Sequence, residues 1–148
     1  MPARNHHGTL VVLGERGVLI LGPSRSGKTA LALRLIKHCA TYGRFAWLVS
    51  DDQLFLSASD GRLVGHAPSP IAGLVEAVGR GPVPIPHEPA AVIDLAVRLV
   101  PEDEAPRFQE GEEMELEGLM LPCMALPCRS AESAASAVAA RLLLPPFG

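Results

Sequence analysis

The sequence predicts an α/β fold: a mixed β-sheet with flanking helices, in one domain spanning residues 1–148. Three observations carry that expectation. A short apolar run, Gly17-Val18-Leu19-Ile20-Leu21, leads into the glycine-bearing segment Gly22-Pro23-Ser24-Arg25-Ser26-Gly27-Lys28-Thr29, which opens into helix formers. Strand, loop and helix in that order begin a βαβ unit. Hairpin signals elsewhere, interleaved with helical stretches, make the sheet mixed rather than wholly parallel. A hydrophobic content of 48% over 148 residues is enough for one proper core.

The elements follow in order. Residues 9–13 are β-rich, residues 14–17 read as a turn, and residues 18–21 form the next strand, so a hairpin feeds the loop. A helix is expected from about residue 28 to residue 40. Its apolar residues nearly encircle it, which predicts deep burial. Residues 44–49 form a third strand that ends in Ser50-Asp51-Asp52. Residues 53–57 and 62–66 flank Ser59-Asp60-Gly61, an Asp-Gly hairpin signal. Residues 70–78, with Pro70 at their start, read as a short helix.

Four prolines (Pro82, Pro84, Pro86 and Pro89) make residues 79–89 a loop or an extended surface segment. Residues 91–100 alternate, with Ile93, Leu95, Val97 and Leu99 on one face and Asp94 and Arg98 on the other, the pattern of a half-buried strand. Residues 101–113 are acidic and read as an exposed loop. Residues 114–125 supply further strands, and the Ala-rich residues 131–144 a terminal helix.

Charge and composition exclude several functions. A net charge of −3 with 4% aromatic residues and no basic stripe gives nothing for nucleic acid to bind. No apolar run reaches membrane-spanning length, and the N-terminus has no signal core. Cys39, Cys123 and Cys128 are an odd set without metal-ligand pairing, and read as reduced thiols of a cytoplasmic protein.

The segment from Gly22 to Thr29 is a complete phosphate-binding loop, the Walker A pattern G-x-x-x-x-G-K-T. Gly22 and Gly27 let the backbone curl. Pro23, Ser24, Arg25 and Ser26 carry the cradle between them. Lys28 reaches the outer phosphates, and the Thr29 hydroxyl is the expected Mg²⁺ ligand. The following helix aims its positive end at the same anion. Asp51 and Asp52, at the end of an apolar strand, have the form of the second element of a phosphoryl-transfer site. One carboxylate could hold Mg²⁺ through water, and the other could accept a proton from a substrate hydroxyl. The plainer reading is an acidic turn after a strand.

Four segments share a further likeness. His7-Gly8-Thr9-Leu10-Val11, then Gly17-Val18-Leu19-Ile20 and the loop, resemble the run H-G-x-L-V … G-V-L-I-x-G-x-S-x-x-G-K-S of one family. Leu48-Val49-Ser50-Asp51-Asp52 resembles that family's L-V-A-D-D. Leu63-Val64-Gly65-His66-Ala67-Pro68, with Ile71, Leu74 and Glu76, resembles the segment leading to its I-E-x-R-G. The family is HPr kinase/phosphorylase, and the likeness to its catalytic domain covers roughly residues 6–81 of this chain. The resemblance implies a P-loop, phosphoenolpyruvate-carboxykinase-like kinase domain in a short form that consists of the catalytic part alone.

It also implies a reaction: ATP-dependent phosphorylation of a serine of the phosphocarrier protein HPr, which many members reverse with inorganic phosphate. By the same resemblance Lys28 and Thr29 bind phosphates and Mg²⁺. One of Asp51 and Asp52, with Asp52 preferred, is the general base, and its neighbour supports it. Glu76 completes the Mg²⁺ site, and His7 sits beside the transferred phosphate. An HPr-like partner and a homo-oligomer follow in the same way.

The chain departs from the family after Glu76, where x-R-G is replaced by Ala77-Val78-Gly79-Arg80. The arginine is missing at position 78, and Arg80 is the candidate replacement. An arginine-rich C-terminal loop, tied to dephosphorylation in the family, is echoed only by Leu126-Pro127-Cys128-Arg129. Arg107 and Arg129 are the candidates to meet phosphate there, against a reading of both as surface charges. Weak or absent phosphorylase activity is therefore expected. Two other readings stand beside the kinase: a nucleotide-binding regulatory module without transfer, and a small-molecule kinase whose acceptor pocket is walled by residues 82–89.

Overall fold

The computed structural model describes residues 3–77 and 79–148. Its spine is β9 (Ala90–Val100), an 11-residue strand. One edge of β9 takes β3 (Arg16–Leu21) in parallel along residues 93–98. The other edge is shared: β6 (Arg62–His66) pairs antiparallel with residues 90–92, and β11 (Leu119–Pro127) runs parallel beside residues 96–100. One long strand thus serves two partners on a single side, and the sheet curls.

From β3 the sheet continues through β2 (Thr9–Leu13) to β4 (Ala46–Ser50), and from β6 through β5 (Gln53–Ser59) to β1 (Arg4–His7). β10 (Glu113–Leu116) pairs with β11.

Each face of this sheet has its own core. On one side α1 (Lys28–Thr41) and α2 (Ala131–Arg141) bury Leu31, Leu35 and Val138 against Val11, Val18, Ile20, Leu95 and Val97. On the other side Leu10, Leu19, Val49, Leu54, Leu56 and Ile93 form a second cluster, which β10 and β11 help to close. β3 is covered on both faces, which is why its sequence reads as an unbroken apolar run rather than an alternation.

The β3–β9 ladder contains a bulge. Gly17 pairs with Ile93 and Val18 with Leu95, so Asp94 is an extra residue, and its Oδ2 accepts the Gly17 N–H at 2.9 Å. A Cβ on Gly17 would lie 2.0 Å from the Val92 carbonyl oxygen, so only glycine permits this approach.

Most of the expected elements are present, including the 60–61 hairpin. Asp60 and Gly61 both have positive φ (51° and 76°), as the primed turn between right-twisted strands requires. Three expectations are corrected. The helix expected over residues 70–78 is a 3₁₀ turn, Ser69–Ile71, followed by the strand β7 (Leu74–Ala77). In the segment after it the extended reading holds for β8 (Gly81–Pro84), which pairs with β7. A two-stranded ribbon has open edges, so Pro82 and Pro84 lose no ladder bond that a central strand would need.

α1 is not buried all round. Leu33 is 37% exposed, because the sheet and α2 cover only part of the helix. β9 is a central strand and not merely half-buried: Ala96 lies in the second core cluster while Leu95 and Val97 lie in the first. The edge strand β1, Arg-Asn-His-His, carries no apolar pattern and takes its form from pairing with β5.

Candidate phosphoryl-transfer site

The phosphate loop connects the carboxyl end of β3 to α1. Its turn closes through the Ser26 N–H, which donates to the Pro23 carbonyl at 3.1 Å. Arg25 and Gly27 adopt positive φ, 66° and 100°. Alternation of this kind turns successive N–H groups to one side and forms an anion-binding concavity. Gly22 is held close to the loop's interior, since a Cβ there would meet Ser26 Oγ at 2.5 Å. Ser26 is 1% exposed, and its hydroxyl has no hydrogen-bond partner among the described residues. Lys28, only 6% exposed, folds back over the loop, and its Nζ donates to the carbonyls of Gly22 (2.9 Å) and Pro23 (3.0 Å).

β4 delivers the two acids to the same place, and the chain treats them differently. Asp51 is 7% exposed. Its Oδ1 accepts the hydroxyls of Thr29 at 2.7 Å and Thr9 at 3.0 Å, and its Oδ2 accepts the Glu76 backbone N–H at 3.3 Å. Asp52 turns outward with φ 68°, and its side chain is 64% exposed. Its backbone is anchored at both ends: the N–H donates to Thr9 Oγ1 at 3.1 Å, and the carbonyl accepts the Gly8 N–H at 2.9 Å. Asp52 Oδ1 lies 3.9 Å from Lys28 Nζ.

Thr9 therefore serves both acids. It is a site residue that the sequence reading missed, and its signal was one hydroxyl at the start of an otherwise apolar strand.

A cavity of about 470 Å³ opens over these groups. Ser24, Arg25, Thr29, Asp51, Asp52 and Glu76 form its polar side, and Ile71, Leu74, Val75 and Pro82 an apolar wall. Glu76 stands exposed on β7 rather than on a helix. Gln53, not foreseen, also lines the cavity.

His7 is exposed at the end of β1, opposite Gln53 and one residue before the Gly8 N–H that holds Asp52. It neighbours the site without lining the cavity. Arg80 lies in the exposed turn between β7 and β8 and is not brought into the lining. Position 78, where the family arginine is missing, lies outside the described residues.

Arg107 stacks over Phe108, with the guanidinium 5.7 Å from the ring centre, on an exposed segment. Arg129 does reach the loop: its backbone N–H donates to the Ser26 carbonyl at 2.8 Å, and its Nη1 to the Arg25 carbonyl at 3.2 Å.

Among the described residues no three His, Cys, Asp or Glu side chains gather as a ready metal cage. Thr29, Asp51 and Glu76 nonetheless all line the cavity, and their oxygens are of the kind that Mg²⁺ takes. That ion keeps several waters and completes its shell with substrate phosphates, so one or two carboxylates suffice.

The chain is similar to proteins of known kind. The family model for the HPr serine kinase C-terminal domain matches residues 1–143. An HPr kinase/phosphorylase of Caldicellulosiruptor bescii is 31% identical over an alignment of 140 positions, gaps included, that covers 86% of this chain and 43% of that protein. One from Limosilactobacillus reuteri is 30% identical over an alignment of 146 positions that covers 90% of this chain and 44% of that protein. The chain spans less than half the length of these curated relatives. The solved structure of the Hpr(Ser) kinase/phosphatase from Coxiella burnetii shares the fold, a mixed α/β architecture with a curled sheet. Its TM-score is 0.79 at 24% identity, and the match covers 95% of this chain and 97% of that one. Among the described residues no helix is long and apolar enough to cross a membrane.

Proposed function

Since this chain belongs to the HPr serine kinase C-terminal domain family, we propose that it transfers the γ-phosphoryl group of ATP to a serine of an HPr-like phosphocarrier protein. One observation carries the reading: the two neighbouring acids have been given different work. Asp51 is buried and accepts three hydrogen bonds, one of them from Thr29. Asp52 is open to solvent beside Lys28. The first arrangement fixes a ligand set, and the second presents a base.

The loop backbone and the α1 N-terminus bind the phosphates. Lys28 exchanges the Gly22 and Pro23 carbonyls for phosphate oxygens, at little cost because its charge is already held over the loop. Thr29, its hydroxyl bonded to Asp51, would hold Mg²⁺ together with Glu76. When bound, that ion supplies neutralisation of phosphate charge. Asp52 takes the proton of the serine hydroxyl as its oxygen bonds to the γ-phosphorus and the bond from that phosphorus to ADP breaks.

The exposure of Asp52 favours an acceptor presented on a protein surface over a small molecule enclosed in a pocket. One catalytic domain over residues 1–148, a cytoplasmic setting and a homo-oligomer belong to the same proposal.

The test is transfer of radiolabelled γ-phosphate from Mg-ATP to purified HPr, with a serine-to-alanine HPr as control. Serine-dependent label supports the kinase. ATP binding without label supports a regulatory module, a second reading favoured by the absence of Arg80 from the cavity lining. Phosphorylase activity is proposed to be weak or absent. Pyrophosphate released from phosphorylated HPr and inorganic phosphate would overturn that part.

A further inference from the structure

The two left-handed residues of the phosphate loop are not held by the loop alone. A non-glycine residue with positive φ, as at Arg25, persists only where its surroundings fix it. Inside the loop the fixing bonds are Ser26 N–H to Pro23 and Lys28 Nζ to Gly22 and Pro23. The carbonyls of Arg25 and Ser26, which flank the turn, are held from outside, and both are held by Arg129.

Arg129 occupies the turn between β11 and α2 with φ 53°. Its own position is secured by Cys128, whose N–H donates to the Val100 carbonyl at 2.8 Å. Gly27 packs directly on it, since a Cβ at Gly27 would stand 3.3 Å from the Arg129 nitrogen. In a trans peptide the carbonyl and N–H point opposite ways. Drawing the Ser26 carbonyl toward Arg129 therefore turns the Gly27 N–H away from the β11–α2 turn, to the side left for an anion.

We propose that Arg129 is a positioning residue for the phosphate loop: it clamps the Arg25 and Ser26 carbonyls so that the Gly27 N–H is aimed at phosphate before the nucleotide arrives. The nucleotide consequences rest on the phosphoryl-transfer reading above, whereas the clamp itself can be read in nucleotide-free protein.

Arg129→Gly keeps the left-handed backbone but removes the guanidinium bond and loosens the turn. Arg129→Lys keeps a side-chain donor in the same conformation. In nitrogen-15 NMR of the nucleotide-free protein, the signal of the Ser26 amide, which shares its peptide with the Arg25 carbonyl, should move in R129G together with that of Gly27 as the turn loosens, and both should return toward wild type in R129K. The KM for Mg-ATP should rise on the order of fivefold in R129G, the worth of one ordinary hydrogen bond. The kcat at saturating ATP should hold, a split that general loss of structure would not give. An unmoved Ser26 amide in R129G overturns the clamp, because that amide shares its peptide with the Arg25 carbonyl that the guanidinium holds. A responsive Ser26 amide in a protein that does not bind Mg-ATP leaves the clamp standing and overturns the kinase reading instead.

Discussion

The Thr29 hydroxyl donates a 2.7 Å hydrogen bond to Oδ1 of Asp51. An ionised carboxylate only accepts, so the proton of Thr29 is committed to it and the hydroxyl's lone pairs are left facing the cavity. Thr9 donates to the same oxygen, and the Glu76 N–H to the other. The residue thus joins the start of α1, the first paired strand of the hairpin and β7 around one buried acid.

Replacing Asp51 with asparagine should harm the fold as well as the site. One acceptor oxygen becomes an amide NH₂ group that faces the Glu76 N–H, donor against donor. Urea denaturation of D51N should show a loss of about 2 kcal/mol, the usual cost of a mismatched buried polar group. A variant as stable as wild type would remove Asp51 from its structural role.

Asp52→Asn should separate binding from chemistry. Asparagine tolerates a φ of 68° better than most residues, so the turn survives. The melting temperature and Mg-ATP affinity should stay near wild type, while transfer to HPr falls by roughly 10²–10⁴-fold, the range for loss of a general base. Undiminished transfer would remove Asp52 as the base. Lys28→Ala gives the contrasting result, with nucleotide affinity itself lost.

The parts of the site that were legible in the sequence are those whose residue types have few other uses. Glycines at 22 and 27 followed by Lys28 and Thr29 have one mechanical reading, and the acids after β4 follow from the apolar run before them. What escaped depends on contacts distant in sequence. Thr9 lies 42 residues from Asp51, and Arg129 lies 104 from Arg25. The ribbon β7–β8 was hidden because proline counts against a strand, and only its partner reveals that the prolines lie on a ribbon with open edges. β1 is polar throughout and exists because β5 offers it a ladder.

The Gly22–Ser26 contact predicts a coupled pair. Alanine at 22 places its Cβ 2.5 Å from Ser26 Oγ and should destabilise the loop. Ser26→Ala alone should be neutral or mildly stabilising, because it removes a buried hydroxyl with no partner among the described residues. In the double variant the worst clash is gone, so the cost of G22A should shrink by about 1 kcal/mol or more, beyond the error of additivity. Equal costs in the two backgrounds, measured by urea denaturation, would mean that the clash is relieved elsewhere.

Cys39, on the buried face of α1, gives a pH signature of the core. Burial pushes its thiol above the ordinary 9.0, with the nearby Arg44 charge pulling partly the other way. The folded state therefore holds the proton more tightly than the unfolded chain. The stabilisation is complete below 9.0 and is lost as pH rises from there through the folded value. Cys39→Ala removes this dependence at the cost of a small cavity, about 1 kcal/mol. The stability of wild type minus that of C39A should be flat through neutral pH and shrink once the pH passes about 9, since every other titrating group is common to both proteins. A difference that stays constant into alkaline pH would mean that the thiol ionises as readily inside the fold as outside it, and α1 would not seal that part of the core.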